Sequence, residues 1–102
     1  MRIVTVCRMN QARSPFAQAV LERNFPDDQI SSTGVVAVVG SKVPEVVRKT
    51  ASQWGVPISQ VQSRPLGEVA PEIMNADLVI TAEKSQSDAI RNLGYKGVIR
   101  NY

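Results

Sequence analysis

Apolar positions along this chain fall into short blocks of two alternating kinds. Residues 2–7, RIVTVC, make a β-branched run, which predicts a buried strand. After it, Ser14 and Pro15 read as a helix start. The serine is placed as cap and the proline at the first helical position, where no backbone N–H is needed. Phe16, Ala17, Val20 and Leu21 then supply an apolar face. Residues 27–34, DDQISSTG, hold a weaker strand around Ile30. Val43, Val46, Val47, Ala51 and Trp54 recur at helical spacing up to a stop at Gly55. GEVAPEIM (67–74) predicts a short helix that Pro71 breaks or starts. ADLVITA (76–82) is the most strand-like segment. SQSDAIRNL (85–93) follows as a helix ending at Gly94, and GVIR (97–100) offers a last strand.

Strands that alternate with helices imply parallel β-α-β units with right-handed crossovers. Ligands of such sheets lie beyond the carboxyl ends of the strands. Cys7 falls at that end of the first strand, directly before a helix. From there to Arg13 the chain reads Cys-X5-Arg, a segment whose backbone N–H groups can wrap a tetrahedral oxyanion with help from the helix N-terminus. Arg13 can clamp two of its oxygens. The same positive surroundings favour a thiolate at Cys7, and the Ser14 hydroxyl can hydrogen-bond that sulfur and stabilise it as a leaving group. The competing reading makes Cys7 a small buried apolar residue and Arg13 a solvated one. The spacing alone does not choose between them; the preceding strand and Ser14-Pro15 favour the anion loop.

Composition narrows the partners. At 102 residues and 43% hydrophobic content the chain is one domain with a modest core. The formal charge of +3 suggests anionic partners, but the basic residues are scattered and aromatics are few, which argues against nucleic acid. One cysteine excludes an internal disulfide, and with no histidine a metal site is not expected. No cofactor is implied. No apolar stretch is long enough for a membrane span, and MRIVTV lacks a signal-peptide core, so no membrane partner and a cytoplasmic location are expected.

VCRMNQARSPFAQAVL (6–21) resembles the signature of the low-molecular-weight protein tyrosine phosphatases, V-C-x-G-N-x-C-R-S-P-x-A-E. SSTGVVAVVG (31–40), SRPL (63–66) and ADLVITAEKSQSDAI (76–90) are similar to further segments of that family in the same order. The resemblance implies a three-layer α/β fold of the phosphatase I kind, a four-stranded parallel sheet in order 2-1-3-4 with flanking helices. It implies Cys7 as nucleophile, Arg13 as phosphate and transition-state ligand, Asn10 as holder of the loop's shape and Ser14 as support for the thiolate. Arg8, Met9, Asn10, Gln11, Ala12 and Arg13 would form the phosphate cradle. The implied reaction is attack on a phosphomonoester, giving a cysteinyl-phosphate that water hydrolyses. The implied partners are a phosphorylated protein or small phosphomonoester, and inorganic phosphate or sulfate in the loop.

Several positions depart from the pattern. Met9 replaces a glycine, so a positive φ there would strain it. Ala12 replaces a second loop cysteine, so no vicinal disulfide can form. Gln11 and Val38 stand where the leaving-group pocket is shaped, Val38 in place of an aromatic wall. The family's general acid is an aspartate in an Asp-Pro loop after the fourth strand, followed by a final helix, and residues 1–102 are expected to be a single phosphatase-like domain lacking both. Asp27 and Asp28 read as turn residues, Asp77 as a strand start and Asp88 as part of a helix first turn. Glu83 is a weak substitute donor. An uncovered sheet face would then favour a homodimer. The alternatives are a catalytically weak oxyanion-binding module, an arsenate reductase-like protein using an external thiol, and a IIB-type phosphocarrier.

Overall fold

The computed structural model describes residues 1–59 and 62–101. Four strands and four helices alternate as β1 (Arg2–Cys7), α1 (Arg13–Asn24), β2 (Gln29–Gly34), α2 (Glu45–Gln53), α3 (Leu66–Met74), β3 (Leu78–Thr81), α4 (Lys84–Asn92) and β4 (Val98–Asn101). The strands form one parallel sheet in the order β2-β1-β3-β4. β1 is therefore central, and all its residues from Ile3 to Cys7 are buried. That explains a continuous β-branched run where an alternating pattern would mark a half-exposed strand.

The two faces of β1 meet different helices. Val4 and Val6 join Val79, Val69, Ile73, Ile90 and Tyr95 in the main core under α3 and α4. Thr5 points the other way and donates to the Ser14 carbonyl of α1 at 2.9 Å. A smaller cluster of Ala19, Ala51 and Val56, flanked by Phe16 and Val20, packs α1 against α2. Gly55 (φ 77°) and Gly94 (φ 100°) end α2 and α4 in the left-handed region that glycine tolerates.

Five expectations need correction. Helix α1 starts at Arg13 with Ala12 as its cap and no side-chain cap bond; Ser14 lies inside the first turn because its hydroxyl serves the loop. Its buried face is Ser14, Pro15, Gln18 and Ala19, while Phe16 and Val20 turn toward α2. Helix α3 runs through Pro71. The apolar stripe through α2 and its flanks is only partly used: Val43 and Ala51 are buried, but Val46 is 68% and Trp54 75% exposed. Asp88 lies in the second turn of α4, paired with Lys84 at 3.2 Å.

Candidate active site

The turn from β1 to α1 is built over a missing side chain. Cys7 ends β1 in register with Gly34, the last residue of β2. The following residues cross so close above Gly34 that a Cβ there would lie 2.6 Å from the Asn10 nitrogen and 2.7 Å from the Arg8 oxygen. Any side chain would push the loop away. The Val35 and Val36 N–H groups donate to the Cys7 and Arg8 carbonyls at 3.1 and 2.9 Å, fastening the two segments together.

Asn10 is the fastening point of the loop. Its Nδ2 donates to the hydroxyls of Ser14 (2.8 Å) and Ser32 (2.9 Å). Its Oδ1 accepts the Arg64 N–H at 2.7 Å, and its carbonyl accepts the Ser63 hydroxyl at 2.9 Å. It is also the one non-glycine residue with positive φ, 54°, among the described residues. Asparagine adopts this region more readily than other side chains. The strain expected at Met9 is absent, because the left-handed residue of the loop is Asn10.

Cys7 is 3% exposed. Its sulfur faces the Asn10 N–H at 3.2 Å and the Ser14 hydroxyl at 3.0 Å. A serine hydroxyl has one proton to give, and this one has two acceptors, the Cys7 sulfur and the Thr33 carbonyl at 3.2 Å. While the sulfur carries its proton, S–H donates to Ser14 and Ser14 donates to Thr33. When the sulfur is a thiolate, the Ser14 proton turns to it. A negative sulfur is then met by two donors and by the N-terminus of α1, and hydrogen bonds to charged groups contribute about 1.5–3 kcal/mol each.

Arg13 opens α1 and is exposed, with Nη1 3.1 Å from the Glu83 Oε1. Glu83 is itself fixed by a reciprocal capping box at the start of α4: its side chain accepts the Gln86 N–H, and the Gln86 side chain accepts the Glu83 N–H at 2.9 Å. The carboxylate tethers the arginine beside the loop, though a pair this exposed contributes only about 0.2–1 kcal/mol. Of the remaining cradle residues, Arg8 and Ala12 are exposed and Met9 and Gln11 half-buried.

Ser32, Thr33, Ser63 and Arg64 also belong to this site, and local sequence pattern gave them no role. They act from distant segments, and their only sequence signal is that SSTG and SRPL recur in the family pattern. Arg64 is held by Glu72 through contacts of 2.5 and 3.2 Å. The hydrogen bond to Glu72 raises the arginine's pKa, and the bond from Arg64 lowers that of Glu72. The aspartates stay away from the loop: Asp28 accepts the N-terminal amine at 2.7 Å and Asp77 the Arg2 N–H at 2.8 Å, both at the other end of β1. Among the described residues, no three His, Cys, Asp or Glu side chains gather as a metal site, and no helix is long and apolar enough to cross a membrane.

The family model described as low molecular weight phosphotyrosine protein phosphatase matches residues 2–101. The chain is 30% identical over 88 residues to the probable low molecular weight protein-tyrosine-phosphatase AmsI of Erwinia amylovora, covering 86% of this chain and 60% of that protein. The crystal structure of AmsI superposes with a TM-score of 0.83 at 26% identity, covering 96% of this chain and 66% of that one. The YwlE arginine phosphatase from Geobacillus stearothermophilus superposes with a TM-score of 0.75 at 29% identity, covering 89% and 58% respectively. The chain thus spans about 60% of the length of the curated relatives it matches.

Proposed function

From its membership of the low molecular weight phosphotyrosine protein phosphatase family, to which this chain belongs over residues 2–101, we propose that it hydrolyses phosphomonoesters through a cysteinyl-phosphate. The observation that carries this reading is the Cys7 sulfur at the foot of a helix N-terminus, met by the Asn10 N–H and the Ser14 hydroxyl. In the proposed reaction the thiolate attacks phosphorus, an S–P bond forms, and the bond from phosphorus to the ester oxygen breaks. Arg13 and the N–H groups of residues 8–13 take up the charge on the three phosphoryl oxygens. Ser14 withdraws its hydrogen bond from sulfur to the Thr33 carbonyl while sulfur is phosphorylated. It returns that bond as water cleaves S–P and releases phosphate and thiolate.

The departing ester oxygen takes a proton. Glu83 is engaged with Arg13 and serves the arginine rather than the leaving group. Esters of acidic alcohols depend least on that proton, because general acid assistance contributes about 10²–10⁴-fold. The proposed substrates are phosphorylated proteins carrying phosphotyrosine or, with a P–N bond breaking in place of the P–O bond, phosphoarginine, both compatible with an exposed Val38 (57%) in place of an aromatic wall. The setting we assign is the cytoplasm. Self-association through the α1 side of the sheet, where Leu78 and Ile80 are half-buried and Val98 exposed, belongs to the same reading, and sedimentation at increasing concentration tests it.

The test of function is turnover of p-nitrophenyl phosphate by wild type, Cys7→Ser and Arg13→Ala. Turnover that requires both residues supports the hydrolase. Vanadate binding without turnover supports the oxyanion-binding alternative, and the absence of both ends the reading. The family match favours the phosphatase over the phosphocarrier.

A further inference from the structure

Ala12 and Arg13 do more than close the loop: they also form one end of a groove of about 500 Å³ between α1 and α2. The rest of its lining is Phe16 and Ala17 from α1 and Val46, Val47 and Thr50 from α2. These side chains bring one charge, on Arg13, one hydroxyl, on Thr50, and no carboxylate. Val46, Thr50 and Trp54 follow one another at intervals of four along α2, so they share a face. Val46 and Trp54 on that face are exposed by 68% and 75%. Helical periodicity assigns Val46 to a buried face, so its exposure at the groove leaves an apolar surface that none of the described residues covers.

We propose that this groove docks apolar side chains of a phosphorylated polypeptide, those flanking the phosphorylated residue. The inference rests on the hydrolase reading and adds to it the chemistry of the substrate around the ester. Its ground is continuity: Arg13 lines both the groove and the phosphate cradle, so a chain whose phosphate sits in the loop passes the groove mouth. A small ester ends at the loop and leaves the groove unused. A polypeptide with leucine or phenylalanine nearby covers the carbon surface and keeps its phosphate against Arg13. Acidic or strongly polar neighbours gain nothing from such a lining.

The experiment compares kcat/KM for p-nitrophenyl phosphate and for two phosphotyrosyl peptides. The peptides are identical except for leucine or serine at the two positions on each side of the phosphotyrosine. Wild type is expected to prefer the leucine peptide by at least about tenfold, chiefly through KM. Val46→Glu, at an exposed position that the fold does not rely on, is expected to bring that ratio close to one, and Thr50→Arg to do the same by filling the groove. Equal kcat/KM for the two peptides, or turnover of the small ester with neither peptide accepted, overturns the groove proposal and leaves the hydrolase standing. No turnover of the small ester overturns the hydrolase reading and this inference with it. Concentration-dependent dimers that Val46→Glu abolishes, without peptide discrimination in wild type, would assign the groove to a second copy of the chain and also overturn it.

Discussion

The Ser14 hydroxyl lies 3.0 Å from the Cys7 sulfur and shares its single proton between that sulfur and the Thr33 carbonyl 3.2 Å away. The serine can therefore follow the charge on sulfur without moving its backbone. Ser14→Ala is expected to lower kcat for p-nitrophenyl phosphate about 10- to 100-fold, the size of one hydrogen bond to a charged group. The rate of phosphocysteine breakdown after rapid quench is expected to fall more than its rate of formation, because negative charge returns to sulfur as the S–P bond breaks. An unaltered kcat would show that the hydroxyl only braces Asn10.

Gly34→Ala tests how the loop is seated. The added Cβ would stand 2.6 Å from the Asn10 nitrogen, and its neighbours are backbone atoms that cannot rotate aside. We expect destabilisation of about 1–3 kcal/mol together with loss of vanadate binding, because the displacement falls on the residue that fastens the loop. Calorimetric melting and vanadate titration of the same sample check both. A stable variant that still binds vanadate would place the anion elsewhere.

The Arg13–Glu83 pair is predicted to matter modestly. Glutamine at position 83 keeps an oxygen for the α4 capping box but removes the charge that holds Arg13. Inhibition by inorganic phosphate should weaken by no more than about fivefold, the upper end for an exposed pair, whereas Arg13→Ala should abolish it. A loss through Glu83→Gln as complete as through Arg13→Ala would make the carboxylate part of the anion site itself.

Acid stability should report on Glu72. Its carboxyl is held below its ordinary range, first by the hydrogen bond from Arg64, with burial opposing. A carboxyl with a lower folded than unfolded pKa stabilises the fold above the unfolded value, about 4.3. That contribution disappears as pH falls through the folded value. Glu72→Gln is therefore expected to be less stable than wild type near pH 7, by no more than about 1 kcal/mol for so exposed a pair. The two proteins should converge toward about pH 2. Urea unfolding at both pH values measures this; a gap of the same size at each would trace the loss to packing.

Oxidation offers a last check. The chain has one cysteine, with Ala12 where a second thiol would close a protective disulfide. Peroxide should convert the Cys7 thiol to a sulfenic acid, with water released, and dimedone should trap it as a single adduct. Protection by added phosphate is expected. Trapping that phosphate does not slow would separate the thiol from the anion cradle.

What sequence pattern could reach was whatever is decided locally. The β-branched run 2–7, ADLVITA and the glycine stops at 55 and 94 fix their elements by propensity and sterics, and all four strands lie where the pattern puts them. Cys7, Arg13 and Ser14 were legible as neighbours because seven residues of chain hold them together. Ser14 was misread as a cap because its competing partners, Cys7 and Thr33, are tertiary. The pattern has Pro71 breaking or starting a helix, but α3 runs through it with Val69 and Ile73 buried. The parts of the site that were not visible are those supplied by Ser63 and Arg64, more than fifty residues from Asn10, where only a folded chain brings a backbone N–H to the asparagine oxygen.

The strand order β2-β1-β3-β4 also sets a timetable. β1 precedes the other three strands in the chain, yet one of its edges stays open until Leu78–Thr81 have been made. The Asn10 partners Ser14, Ser32, Ser63 and Arg64 all precede β3 in the chain. A nascent chain can thus assemble the turn above Gly34 before the sheet beneath it closes. The Val6 carbonyl beside Cys7 meets the Ala82 N–H, 3.1 Å away in the folded sheet, only once that later segment has been made.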